Sequence, residues 1–268
     1  MRRNLLLTTL VMTVVLAVMV VLILIRNSSK LKEMTAESTP SPTIPVVMET
    51  AEPAPVPTPE VPSYPKGEDD PAFYDTSSYL LLANKKHKLP DGYEPSDLTT
   101  PNVTMRNSTW QFREEAARAM EEMFAAAAAD GVQLVCSSGY RSQDYQEYLW
   151  NNYAAQSGEE YADRISSRAG YSDHQTGLAV DLGGTTNPAV DFNTEYENTA
   201  EGIWAAANAH KYGFIMRYPK GKEEITGYTY EPWHFRYIGV EYATMVYEAD
   251  PNMTFEEFFD VAGGDYAE

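Results

Sequence analysis

Residues 5–25 read LLLTTLVMTVVLAVMVVLILI, 21 positions without a charge, with Arg2 and Arg3 before them and Arg26 after. As a helix this run is about 31 Å long, enough to cross the hydrocarbon layer of a bilayer. A cleaved signal peptide has a shorter apolar run and a small-x-small site behind it. Here RNSSKLK follows instead, and no cysteine stands near the end to carry a lipid. Residues 1–26 therefore read as an uncleaved signal anchor, one transmembrane helix. Lys30 and Lys32 join Arg26 on the far side, so the charges alone leave its orientation open.

Residues 27–73 cannot build a core. They run through TPSPTIPVVMETAEPAPVPTPEVPSYPKGEDD, rich in proline and poor in large apolar side chains. Such a composition favours extended polyproline II at ~3.1 Å per residue, a reach on the order of 100 Å. It suits an enzyme held above a bilayer and a passive linker equally well. The remainder, residues 74–268, is long enough for one globular domain. The formal charge of −19, with no basic patch to offset it, excludes a nucleic-acid partner. The single cysteine, Cys136, excludes an internal disulfide and a cysteine-ligated zinc cluster, and reads as a small core residue.

Within that domain, TSSYLLLANKKHKLP (76–90) reads as a first strand and turn, and residues 113–129 as a helix of strong helix formers stopped by Asp130-Gly131. The alanine run 125–129 suits close packing against a neighbour. VQLVC (132–136) reads as a strand, SSGYRS as a loop, and 143–155 as a second helix. LAVDL (178–182) is a short strand, EGIWAAANAHKYG a third helix, and FIMRY and WHFRYIG two more strands. Helices early and strands late predict an α+β fold with a small antiparallel sheet rather than a doubly wound parallel one.

Two segments concentrate groups that do chemistry. In SDHQTGLAVD (172–181), strand alternation sends Leu178, Val180 and Leu182 to one face and Ala179 and Asp181 to the other, while Gly177 lets the chain bend His174 back towards that carboxylate. A His–Asp pair is either two metal ligands or a structural hydrogen bond. EPWHFRY (231–237) adds His234, with Glu231 three positions earlier. Catalytic zinc takes three protein ligands and keeps a fourth position for water, and His174, Asp181 and His234 make such a set. Glu231 is then the carboxylate that moves the proton. The bland alternative makes Glu231 a surface residue and His234 a core one. His87 and His210 lie in lysine-adjacent stretches and receive no role.

With these motifs the sequence resembles the VanY-type D-alanyl-D-alanine carboxypeptidases, zinc enzymes of bacterial cell-wall metabolism. Their Ser-x-His-x-x-Gly-x-Ala-x-Asp appears as SDHQTGLAVD and their Glu-x-x-His as EPWH. LLANKKHKLPDGYEP, SSGYRSQDYQ and YGFIMRYPKGKEEITGY follow the family order too. The resemblance implies helices and an antiparallel sheet packed around a zinc site held by His174, Asp181 and His234, with Glu231 as catalytic base. It implies that Arg141 binds the terminal carboxylate of the substrate or stabilises developing oxyanion charge in a catalytic role, that Gln146 holds the same carboxylate, and that Ser172, Tyr218, Tyr228 and Trp233 line the pocket. A planar guanidinium suits that task because it grips a carboxylate with two parallel hydrogen bonds. The implied substrate is a peptidoglycan stem peptide losing its C-terminal D-alanine, outside a membrane crossed once with the N-terminus inside. An L,D-carboxypeptidase or cross-bridge endopeptidase on the same scaffold is the nearest alternative. A non-catalytic wall-binding module with structural zinc is another, but it has no need of Glu231.

Overall fold

The computed structural model describes residues 64–266, so the anchor and most of the linker lie outside the described residues. Among the described residues no helix is long and apolar enough to cross a membrane. The centre is a four-stranded sheet of β3 (Leu134–Ser138), β4 (Ala179–Gly184), β5 (Phe214–Met216) and β6 (His234–Tyr237), in the order β3-β4-β6-β5 with every pair antiparallel. A two-residue pair, β1 (Leu98–Thr99) with β2 (Phe112–Arg113), lies outside it. The α+β expectation holds.

On one face, Val180, Leu182 and Phe235 pack with Met120, Met123 and Phe124 of α1 (Glu114–Ala129) and with Trp204 and Ala205 of α4 (Ala200–Asn208). Ala116, Ala117 and Ala127 let α1 approach closely, and Cys136 lies in this core. A second cluster joins Ile215 and Ile238 to α6 (Val240–Ala249) and α7 (Phe255–Phe259). The site is flanked by α2 (Gln143–Ser157), which Ser142 caps through its hydroxyl, and by α3 (Glu159–Ile165), which starts straight after Gly158.

Two features differ from the sequence reading. Residues 76–90 form turns and one isolated bridge, Asn84 to His87, instead of a strand. Leu80 and Leu82 join one cluster and Leu81 another, and the carbonyls of Tyr79 and Leu81 accept from the Arg236 guanidinium rather than from a ladder. Helix α3, a short α5 (Glu223–Thr226) between β5 and β6, and α6 and α7 after the last strand were not anticipated. His87 is buried, bonded to Asn84 and Glu68, while His210 stacks on Tyr247.

Candidate active site

Asp181 and His234 are cross-strand partners in the β4–β6 ladder, which places their Cβ atoms about 4.5–5.5 Å apart on one face. Val180 and Phe235 beside them point into the core, so the pleat fixes which way the two polar groups face. His174 reaches the same point from a 3-10 turn, Asp173–Thr176, capped by the Ser172 hydroxyl and ended by Gly177 at φ 69°. A Cβ at Gly177 would stand 3.0 Å from Leu98 Cδ2 and 3.1 Å from Arg113 Cγ, so the left-handed backbone favours glycine and any side chain would push these neighbours aside by a few tenths of an ångström.

The ligand atoms of His174, Asp181 and His234 all lie within 4.8 Å of one another, and all three residues are buried. Around a four-coordinate ion with bonds of about 2.0–2.2 Å, neighbouring ligand atoms stand roughly 3.3–3.6 Å apart. His174 Nε2 lies 3.2 Å from Asp181 Oδ2, and His234 Nδ1 lies 3.3 Å from Asp181 Oδ1, an oxygen that is buried without a hydrogen bond. The residues fit a divalent ion with a taste for nitrogen and oxygen. His174 Nδ1 is 2.8 Å from the Gly139 carbonyl, which only accepts, so the proton sits on Nδ1 and Nε2 offers its lone pair. Burial and the Arg141 charge lower the His174 pKa to about 4, which keeps the ring neutral as a ligand must be. Burial opposes ionisation of Asp181, but the Arg141 guanidinium and His234, whose own pKa the Asp173, Asp181 and Glu231 carboxylates raise well above the usual imidazole range, hold it well below the usual carboxylate range.

Glu231 is positioned by a turn whose backbone closes from His234 N–H to the Glu231 carbonyl, and its Oε2 lies 3.4 Å from His234 Nδ1. Burial raises its pKa, moving it towards the range in which a carboxylate both takes and returns a proton.

All ten residues singled out in the sequence line one cavity of about 490 Å³. Arg141 donates from Nη2 to Asp181 (2.8 Å) and from Nε and Nη2 to Ser138, leaving Nη1 without a hydrogen bond. Gln146 is buried and donates to the Ser166 hydroxyl (3.0 Å) and the Ser167 carbonyl (2.8 Å). Because that carbonyl only accepts, the amide orientation is fixed, and the atom left unpaired is the acceptor Oε1. The donor that the family pattern assigns to the substrate is turned to the wall here. The Tyr228 hydroxyl holds Ser167, Tyr218 packs on the rings of His234 and Tyr228, and Trp233 meets Phe192 edge to face.

The sequence reading missed part of the wall. Tyr145, Leu149 and Tyr153 line the cavity from α2, joined by Tyr161 of α3. Their i, i+4, i+8 spacing was a readable signal, since it puts them on one helix face. Asp173 was also passed over, although it stands directly between Ser172 and His174.

Comparison with known proteins agrees with this geometry. Residues 109–240 match the profile of VanY, D-alanyl-D-alanine carboxypeptidase. The putative carboxypeptidase YodJ of Bacillus subtilis is 44% identical over 185 residues, 68% of this chain and 67% of that protein. Curated relatives are spanned over 57% to 93% of their own length. Among solved structures, the LdcB LD-carboxypeptidase is 42% identical, with a TM-score of 0.65 over 71% of this chain and 89% of that one. A mutant of the vancomycin resistance D,D-pentapeptidase VanY from a VanB-type cassette, in complex with Zn(II), is 30% identical, with a TM-score of 0.56 over 67% of this chain and 98% of that one. The chain belongs to the VanY family of D-alanyl-D-alanine carboxypeptidases.

Proposed function

We propose that this protein is a zinc-dependent D-alanyl-D-alanine carboxypeptidase that removes the terminal D-alanine from peptidoglycan stem peptides. The observation that carries the reading is the convergence of a neutral imidazole, an ionised carboxylate and a second imidazole, with a raised-pKa glutamate 3.4 Å from the last. His174, Asp181 and His234 would hold the zinc, which when bound supplies a Lewis acid and lowers the pKa of water. Glu231 accepts the proton of the attacking water and returns it to the leaving amine. Arg141 Nη1, which carries no hydrogen bond, is left to take the terminal carboxylate, while Nη2 on Asp181 ties substrate binding to the ligand set.

An L,D-carboxypeptidase is the second reading, favoured by one observation: identity to the LD-carboxypeptidase LdcB is 42%, against 30% to the D,D-pentapeptidase. Incubating the purified protein with defined penta- and tetrapeptides, and identifying products by mass, separates the two. Loss of D-alanine from the pentapeptide is the expected result. Trimming of the tetrapeptide alone would establish the second reading, and no trimming of either would sink both.

The uncharged run at residues 5–25 supports a single-pass anchor with the domain outside the cell, where its polymer substrate lies. Protease added to wall-free cells is expected to release the domain by cutting the proline-rich linker. Protection would contradict that topology.

A further inference from the structure

Asp173 stands between Ser172 and His174, fully buried, and lines the same cavity, yet the chemistry given to Glu231 and Arg141 does not use it. Its Oδ1 is bound by Arg236 Nη1. Its Oδ2 has no hydrogen bond, but lies 3.2 Å from Arg217 Nε and 3.7 Å from His234 Nε2. Both of those nitrogens are themselves buried polar atoms without a partner. One acceptor and two donors, all unpaired, therefore share one small volume. Leaving three such atoms unsatisfied is unfavourable enough that adjacency of this kind points to an interaction rather than to chance.

The two histidines need opposite tautomers. His174 turns Nε2 to Asp181 and gives its Nδ1 proton to the Gly139 carbonyl. His234 turns Nδ1 to Asp181 and Glu231, both acceptors, so Nδ1 can offer its lone pair to zinc only with the ring proton on Nε2, and the group facing Nε2 is Asp173. A ligating imidazole whose other nitrogen donates to a carboxylate is held in one orientation and made more basic. The carboxylate is fixed in turn. Arg236 reaches the carbonyls of Tyr79 and Leu81, and Arg217 makes two bonds to Glu256, at 2.7 and 2.6 Å, on α7. Two arginines against Asp173 and Glu256 balance the buried charge.

We propose that Asp173 is a positioning residue that fixes the Nε2–H tautomer and the ring orientation of His234, with Arg217 and Arg236 holding its carboxylate in place. The inference rests on the reading of His234 as a zinc ligand. Its test is nitrogen-15 NMR of histidine-labelled, zinc-loaded protein, together with zinc affinity by competition against a chromophoric chelator. In the parent protein the His234 ring proton is expected on Nε2, exchanging slowly. Asp173→Asn is expected to lower zinc affinity about 10–100-fold and to speed that exchange, while the Nδ1 proton of His174 stays protected and saturating zinc restores much of the activity.

A parent spectrum with the His234 proton on Nδ1 would overturn the proposal, and that measurement needs no variant to fold. Unchanged zinc affinity in a folded Asp173→Asn protein would overturn it as well. A parent protein that binds no zinc would instead remove the ligand assignment, and this inference with it.

Discussion

Glu231 and Arg141 divide the work at the scale of single residues, and each division is measurable. Glu231→Gln keeps the size of the side chain but cannot accept a proton, so zinc content is expected to stay near one per chain while turnover falls at least ~10²–10⁴-fold. Full activity in that variant would move the proton transfer elsewhere, and no turnover in either protein would indicate a binding module. For Arg141, a charge-assisted hydrogen bond of ~1.5–3 kcal/mol, together with the charge left unpaired, predicts a loss in kcat/KM of roughly 10²-fold in Arg141→Ala. Because Arg141 also binds Asp181, activity alone does not isolate its contact with the substrate. Amidating the peptide's C-terminus does. The parent enzyme should lose most of its rate on the amide, and Arg141→Ala should lose little more. Equal losses would show that another group reads the carboxylate.

At the scale of elements, the turn that carries His174 depends on Gly177. An alanine there enters the left-handed region and meets Leu98 and Arg113, so Gly177→Ala is expected to lose ~1–3 kcal/mol. A thermal melt should show this as a drop of several degrees, and a drop in zinc affinity should accompany it as His174 is displaced. An unchanged melt would mean that the turn tolerates a side chain. The strands around the site were legible because alternation is a local signal: LAVDL put Asp181 opposite the core residues before any pairing was known. The register that brings His234 against Asp181 was not legible, since a ladder joins segments more than fifty residues apart. The strand expected at residues 76–90 failed for the same reason. Its carbonyls are taken by Arg236, a partner no local pattern reveals. Helix α7 did carry a signal, the Thr254-x-x-Glu257 capping box, which the reading overlooked.

At the scale of the whole domain, the ligand set ties together three parts of the chain: the 3-10 turn, β4 and β6. An ion that binds only the folded state adds RT ln(1 + [L]/Kd), about 4 kcal/mol at a thousandfold excess over Kd. Chelation is therefore expected to lower the melting temperature by more than about 8 °C, and zinc should restore it. A melt indifferent to chelator would mean the sheet does not need the ion. The bond-breaking groups stand on the central strands and adjoining turns, whereas Tyr145, Leu149, Tyr153 and Tyr161 stand on α2 and α3, which supply none of the ligands. Substitutions in the tyrosine wall can therefore reshape the cavity without touching the groups that hydrolyse the bond.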